Sequence, residues 1–241
     1  MTRQEVAAQI RKIGIVPAVR VCSLEDGTFA AFELAHAGIP IMEVACSEVS
    51  AFDVIAELAK RSDGMIVGAG EVMDLATARR CLEAGAKFIT GPGLDLEIID
   101  FARKADVTVI PGALTPTEVL TAWRAGGDFV KIFPCAQVGG ARYIHALNAP
   151  FPEVPMIASG GVDQQTAADF IRAGAIALGI GGALISHESI HLRQTHRIRE
   201  LARRFLNAVS TSREAIAAAK ARVGESPQSG RSATDSAVES G

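Results

Sequence analysis

The chain has 241 residues, of which 49% are hydrophobic and 21% are charged, and its formal net charge is −3. This length and apolar content suit one large α/β domain, and the absence of a basic stripe argues against a nucleic-acid partner. Four widely separated cysteines form no CxxC pair, which indicates reduced thiols in a cytoplasmic protein. The opening MTRQEVAAQIRKIG predicts a polar amphipathic helix and not a signal peptide. No apolar stretch approaches the ~20 residues of a membrane span.

Eight short apolar runs follow, and they alternate with amphipathic stretches. The runs are 13–21, 39–47, 65–73, 87–93, 107–114, 129–135, 154–161 and 176–185. Several of the intervening stretches end in a glycine, at positions 38, 85, 126 and 174, as helices commonly do. Eight such units predict a (β/α)8 TIM barrel with an additional N-terminal helix. An open doubly wound sheet is disfavoured, because no complete GxGxxG turn follows the first run.

The composition changes towards the end of the chain. A basic amphipathic stretch over 191–209 is interpreted as a helix that packs on the barrel and exposes a solvated face, in preference to a membrane or nucleic-acid surface. The following GESPQSGRSATDSAVESG is rich in Ser and Gly and has almost no bulky apolar residue. We therefore predict one barrel domain over residues 1–223 and a disordered tail over residues 224–241.

A single lysine interrupts the apolar run FVKIFPC. The active site of a (β/α)8 barrel lies at the C-terminal ends of its strands, so polar residues within the runs are candidates for catalysis. An apolar environment favours the neutral amine of Lys131, which can attack a ketone and form a Schiff base. The alternatives are a structural pair with a buried glutamate, or a lysine that extends its amine out of the strand end.

Two glutamates accompany this lysine on earlier runs. Glu43 is the single charge in IMEVACS, and near Lys131 it could transfer protons at neutral pH or only neutralise the amine. Glu71 follows VGAG, and two ionised carboxylates beside one amine would leave the site negative. We expect Glu71 to pair with Arg20; the alternatives are that it faces away from the site or acts on the substrate.

Glycine pairs occur on the last two runs, in ASGGV and GIGGAL. Gly160 and Gly161, with Gly181 and Gly182, could bring backbone N–H groups close to an anion at the usual phosphate position of such barrels. Tight turns would require glycine at the same positions. The five histidines lie in helical or loop contexts without an HExxH motif, so we expect chemistry without a metal or another cofactor.

Many of these motifs occur together in a recognisable order. They are GIVPAVR, IMEVACSEVSA, VGAGEVMDLATARRCLEAGAKFITGPG, VIPGALTPTEVLTAWRAG, FVKIFPCAQVGGARYIHALNAPFPEVPMIASGGV and AGAIALGIGGALI. From about Ile13 to Ile185 the chain resembles the 2-keto-3-deoxy-6-phosphogluconate (KDPG) / 4-hydroxy-2-oxoglutarate (KHG) aldolase family of class I pyruvate aldolases. The resemblance implies a homotrimer that cleaves a 4-hydroxy-2-oxo acid to pyruvate and an aldehyde.

The resemblance also implies roles for individual positions. Lys131 in FVKIFP matches the Schiff-base lysine, and Glu43 in IMEV matches the glutamate that transfers protons. Pro92 in GPG and Phe133 in KIFP match residues that line the pyruvate pocket. The two glycines of ASGG match the pair that contacts the phosphate.

Several positions depart from the family pattern. The family's GAGT is GAGE here, so Glu71 replaces a threonine that helps to hold the pyruvate carboxylate. Ser159 keeps the hydroxyl of the threonine in PTGG, whereas Gly182 lacks the hydroxyl of the family's GS, which would reach the phosphate. Ser47 lies where some relatives carry a carboxylate-binding arginine and others a threonine, and Arg20 remains a candidate partner for an anion. The imine-forming residues are thus kept while the substrate-recognition positions differ.

An aldolase acting on a small oxo acid, with no nucleic-acid or membrane partner, is the main prediction, and two other functions stay open. Glu43 and Glu71 could be the acid and base of a phosphosugar isomerase or epimerase. The changes at Glu71 and Gly182 would also suit a ligand-binding barrel without catalysis.

Overall fold

The computed structural model describes residues 1–47, 50–61 and 64–224. Nine parallel strand segments form a nearly closed barrel with helices between them, which confirms the predicted TIM barrel. The segments are β1 (Ile15–Val19), β2 (Ile41–Ala45), β3 (Ile66–Gly70), β4 (Phe88–Thr90), β5 (Thr108–Ile110), β6 (Gly112–Ala113), β7 (Val130–Ile132), β8 (Met156–Ser159) and β9 (Ala177–Ile180). Each lies within one of the eight predicted apolar runs.

The fifth run contains two segments because it is interrupted at Pro111. β5 pairs with β4 and β6 pairs with β7, so the strand order is β5-β4-β3-β2-β1-β9-β8-β7-β6. Proline has no N–H to donate to a neighbouring strand, but its carbonyl oxygen still accepts a bond from the Lys131 N–H at 2.9 Å. The divided strand therefore joins the two edges of the sheet and brings β2 and β7 to opposite sides of one interior.

Helices connect and flank the strands. They are α1 (Arg3–Ile13), α2 (Leu24–His36), α3 (Ala51–Ala59), α4 (Leu75–Glu83), α5 (Leu96–Lys104), α6 (Pro116–Arg124), α7 (Ala141–Asn148), α8 (Ala167–Arg172), α9 (His187–His191) and α10 (Thr195–Gly224), with a short 3-10 helix at Ala136–Val138. The predicted N-terminal helix is α1, and Thr2 and Glu5 form a capping box at its start. In the described part of the chain, no helix has both the length and the apolar character that crossing a bilayer requires.

The ends of the helices follow the sequence signals. All four predicted terminal glycines, at positions 38, 85, 126 and 174, have positive φ. The basic stretch predicted to pack on the barrel lies mostly in α10, which packs on α2 and α8 and carries the buried residues Phe205 and Val209. Of the predicted tail, only Gly224 is among the described residues, and it is the last residue of α10.

A buried ion pair joins α2 to α10 away from the barrel interior. Glu33 is 3% exposed, and its carboxylate accepts hydrogen bonds from Arg199 Nε at 2.5 Å and from Thr195 Oγ1 at 3.2 Å. Short bonds of this kind offset the cost of burying a charge, since the carboxylate keeps partners when it leaves water. Glu33 is therefore a buried carboxylate whose hydrogen bonds connect two helices, and it does not line the cavity described below.

Candidate active site

A cavity of about 300 Å³ opens at the C-terminal ends of the barrel strands. Nearly all of the residues predicted for the site line this cavity: Arg20, Glu43, Glu71, Pro92, Lys131, Phe133, Ser159, Gly160, Gly161, Gly181 and Gly182. Ser47 is not part of the lining, and it lies exposed in the turn after β2. The barrel thus gathers side chains that are far apart in sequence around one opening.

Lys131 and Glu43 meet across the interior of the barrel. Each is the central residue of its strand, β7 or β2, and these strands are not neighbours in the sheet. The Lys131 Nζ and Glu43 Oε1 atoms are 3.6 Å apart, and the two side chains are 9% and 4% exposed. The attraction between the opposite charges offsets part of the free-energy cost of removing each charge from water. Burial of either charge without the other would be strongly unfavourable. Their separation exceeds a hydrogen-bond length of about 2.7–3.2 Å, so the pair is more open than the short contacts of Glu33.

Two glycines of β3 make room for this pair. A Cβ atom at Gly70 would overlap the Glu43 carboxylate, and a Cβ atom at Gly68 would overlap the ring of Phe88. The two glycines of VGAG therefore leave room for neighbouring side chains in the barrel interior. Glycine at alternate positions of an apolar strand is the sequence pattern that indicates such close packing. The contact of this motif with Glu43 was not predicted from the sequence.

The predicted pairing of Arg20 with Glu71 is confirmed at the mouth of the cavity, where Arg20 Nη2 donates to Glu71 Oε1. Their side chains are 62% and 29% exposed, so water screens this pair far more than the interior one. With Lys131 facing Glu43, each cation of the lining faces a carboxylate. An anionic ligand would therefore have to compete with Glu71 for the guanidinium.

Phe133 and Pro92 form apolar walls close to the amine. The Phe133 ring centre lies 5.5 Å from Lys131 Nζ, within the range of a cation–π contact. Pro92 is packed so tightly on β6 that a Cβ atom at Gly112 would overlap its backbone. Since Gly112 pairs with Lys131 in the sheet, the Pro92 loop packs on the strand that neighbours the lysine strand.

The glycine pairs of the last two strands differ in their surroundings. Gly160 and Gly161 have φ values of 83° and 86°, and a Cβ atom at Gly160 would lie 2.9 Å from Pro134 Cα. Tight packing therefore explains these two glycines without a ligand. At Gly182, in contrast, a Cβ atom would have nothing within 4 Å, so the cavity has open space there. Helix α8 begins only at Ala167, so any anion at the first pair would depend on backbone N–H groups and not on a helix N-terminus.

Cys135 is the thiol nearest in sequence to Lys131. It is fully buried, and burial raises the pKa of its thiol to about 11. The thiol therefore stays protonated near neutral pH and is a poor nucleophile. Among the described residues, no group of three or more His, Cys, Asp or Glu side chains is arranged to hold a metal ion.

Small residues complete the lining and were not predicted from sequence. They are Ala18, Val162, Gly179 and Ala183. None carries a functional group, so composition and spacing offer no signal beyond their positions at strand ends. Their contribution is space in front of the polar side chains.

Comparison with known proteins agrees with this geometry. Residues 6–201 match the family model described as KDPG and KHG aldolase. The chain is 30% identical over 190 residues to the KHG/KDPG aldolase of Escherichia coli strain K12, an alignment that covers 78% of this chain and 89% of that relative.

Two solved structures extend the likeness to the fold. A KDPG aldolase from Legionella pneumophila, with pyruvate captured at low pH as a covalent carbinolamine intermediate, has a TM-score of 0.77 and 25% identity, and the match covers 82% of this chain and 96% of that one. A cube-shaped protein cage designed by fusing symmetric oligomeric domains has a TM-score of 0.80 and 25% identity, covering 88% of this chain and 78% of that one. These matches favour the aldolase interpretation over the isomerase and non-catalytic alternatives. The chain belongs to the KDPG and KHG aldolase family of carbon–carbon lyases.

Proposed function

We propose that this protein is a class I aldolase that cleaves a 4-hydroxy-2-oxo acid, of the KDPG or KHG type, to pyruvate and an aldehyde. The observation that carries the proposal is the buried pair of Lys131 and Glu43, which faces the cavity at a separation of 3.6 Å. A proton that moves from the ammonium to the carboxylate leaves two neutral groups, and the neutral amine is a nucleophile. The E. coli relative, whose name covers both substrates, supports this substrate class.

The first half of the reaction joins substrate to enzyme. The Lys131 amine attacks the C2 ketone, and Glu43 gives its proton to the new alkoxide while it takes one from the nitrogen, which yields a carbinolamine. Glu43 then protonates the carbinolamine hydroxyl, and water leaves as the iminium forms. The apolar walls of Phe133 and Pro92 hold the reacting carbon against the amine, so attack proceeds within a fixed geometry.

The second half breaks the carbon–carbon bond. The Glu43 carboxylate removes the C4 hydroxyl proton, the C3–C4 bond breaks, and its electron pair moves into the iminium to give an enamine and a free aldehyde. Glu43 returns the proton to C3, and water hydrolyses the resulting imine to pyruvate and the free lysine. One carboxylate therefore serves as base and acid in turn, which contributes roughly 10²–10⁴-fold to the rate in comparable systems.

The remaining residues that line the cavity are proposed to recognise the substrate. The Ser159 hydroxyl and the backbone N–H groups near the open space at Gly182 suit the polar and anionic end of an oxo acid. Arg20 supplies the cation at the mouth, and Glu71 competes with the substrate for it. The proposed binding residues are Arg20, Ser47, Glu71, Pro92, Phe133, Ser159, Gly160, Gly161, Gly181 and Gly182. Ser47 lies outside the cavity lining, and its inclusion rests on the family resemblance alone.

Assembly and compartment complete the proposal. A homotrimer is proposed from the family resemblance, and the similar cage built from symmetric oligomeric domains supports self-association. A reducing, cytoplasmic environment is proposed because all four cysteines are free thiols. The Cys46 and Cys81 Sγ atoms lie 3.5 Å apart, close enough for small movements to join them under oxidising conditions.

Trapping with borohydride tests the proposed function directly. Incubation with pyruvate and borohydride is expected to leave a reduced adduct on Lys131, because the reductant fixes the imine to the amine that formed it. Peptide mapping by mass spectrometry identifies the modified lysine, and the exposed Lys104 of α5 is the internal control that must stay unmodified. Absence of an adduct on Lys131 would exclude the Schiff-base mechanism.

Gly70→Ala tests the space beside Glu43. The new methyl group would overlap the Glu43 carboxylate and displace it from its present position, so we expect the rate of pyruvate trapping to fall roughly 10- to 100-fold. Gly93→Ala is the matched control, since a Cβ atom there meets nothing within 4 Å. Trapping at the wild-type rate by a folded Gly70→Ala protein, as judged by its thermal unfolding, would contradict the placement of Glu43.

Glu71→Thr tests the competition for Arg20. Removal of the carboxylate frees the guanidinium, so the pyruvate concentration that gives half-maximal trapping should fall roughly two- to fivefold, the range of a partly exposed ion pair. Glu71→Gln keeps the size of the side chain and should show the same change. Loss of trapping in both variants would instead show that the carboxylate of Glu71 has a role of its own.

A further inference from the structure

Thr90, the last residue of β4, carries a buried hydroxyl for which the described residues provide no hydrogen-bond partner. The residue is 1% exposed, and within the described ranges its Oγ1 and Gln194 Oε1 are the buried side-chain nitrogen or oxygen atoms without a hydrogen-bond partner. An unpaired buried hydroxyl destabilises a protein relative to a valine of nearly the same shape. Stability therefore does not explain a threonine at this position, and an unsatisfied buried group calls for another explanation, of which a role in function is one.

The strand registers show which way Thr90 points. Glu43 faces the barrel interior, because it meets the Lys131 amine across it. Gly68 is the register partner of Glu43 and faces the same side, where a Cβ atom on it would overlap the Phe88 ring. Side chains alternate along a strand, so Thr90, two residues after Phe88, also faces the interior.

Thr90 also lies at the same height as the two proposed catalytic residues. In a (β/α)8 barrel, alternate strands contribute each layer of interior side chains, and a layer advances by one residue per strand. Two strands and two residues beyond Glu43 is Thr90. The same step from Thr90 ends at Lys131. Thr90 pairs with Ile110, Gly112 lies two residues beyond Ile110 on the divided strand, and Gly112 pairs with Lys131. Thr90 therefore stands between Glu43 and Lys131 in one layer.

We propose that Thr90 is a positioning residue that holds Glu43 while Lys131 is bound to substrate; this inference rests on the proposed function. In the neutral carbinolamine, the lysine nitrogen no longer carries the charge that attracts Glu43 in the resting protein, so the ion pair no longer directs the carboxyl group. Glu43 also alternates between carboxylic acid and carboxylate during the reaction. A hydroxyl both donates and accepts, so Thr90 serves either state: it donates to the carboxylate and accepts from the acid. The carboxyl group thereby stays directed at the carbinolamine oxygen.

Valine and serine substitutions separate this role from packing. Thr90→Val keeps the shape and removes the hydroxyl, so we expect the maximal rate of pyruvate trapping by borohydride to fall roughly 10- to 100-fold, a fraction of the effect of a proton-transfer group. The half-saturating pyruvate concentration should stay within about twofold, and Thr90→Ser should restore the rate. The thermal midpoint of Thr90→Val should equal or exceed that of wild type, because an unpaired hydroxyl is lost.

Thr108→Val is the matched control. Thr108 is also a buried threonine on a barrel strand, but its hydroxyl donates to the Arg3 carbonyl oxygen at 2.8 Å. Its loss should lower the thermal midpoint and leave the trapping rate within about twofold of wild type.

The inference is overturned if Thr90→Val traps pyruvate within twofold of the wild-type rate, or if Thr90→Ser loses as much as Thr90→Val. Thr90→Ala, which also lacks the hydroxyl, replaces the valine variant if that protein does not fold and must show the same loss. A failure of the proposed function is distinguishable, because wild type itself would then form no adduct on Lys131, and that result would overturn both proposals.

Discussion

A buried ammonium and a buried carboxylate face each other across an apolar barrel, and the rest of the site depends on that contact. Burial of either charge alone would be strongly unfavourable, so Lys131 and Glu43 stabilise each other in the resting protein. The barrel must close through the strand divided at Pro111 to bring β2 and β7 together. Transfer of one proton within the same pair would leave a neutral amine, which links the contact to its proposed chemistry.

Two neighbouring features adapt the barrel to this contact. β3 has no side chain at Gly68 and Gly70, and the Phe88 ring and the Glu43 carboxylate occupy the space in front of them. The Arg20–Glu71 pair at the mouth is exposed and weak by comparison, so it can exchange partners when an anion arrives. A packed interior and an exposed ion pair at the entrance support the proposal that the imine chemistry is fixed and that substrate preference is set near the cavity mouth.

Sequence alone predicted the features that local pattern determines. Apolar runs separated by amphipathic stretches gave the strands and helices, and a lone charge within a run singled out Lys131 and Glu43, because an unpaired charge in a buried strand is costly. Contacts between distant strands were less accessible. The packing of Gly70 on Glu43 and the layer position of Thr90 depend on register, which alternation along one strand does not specify. Ser47 was predicted only from the matching position in the family, and it lies outside the cavity lining.

The most direct test of the Lys131–Glu43 mechanism is the exchange of the pyruvate methyl protons in D2O, followed by proton NMR. An imine on Lys131 acidifies these protons and Glu43 removes them, so wild type should exchange them without any aldehyde being present. Glu43→Gln should slow the exchange roughly 100-fold or more, whereas Lys104→Ala, an exposed control on α5, should not change it. Exchange by Glu43→Gln at the wild-type rate, or no exchange by wild type, would contradict the mechanism.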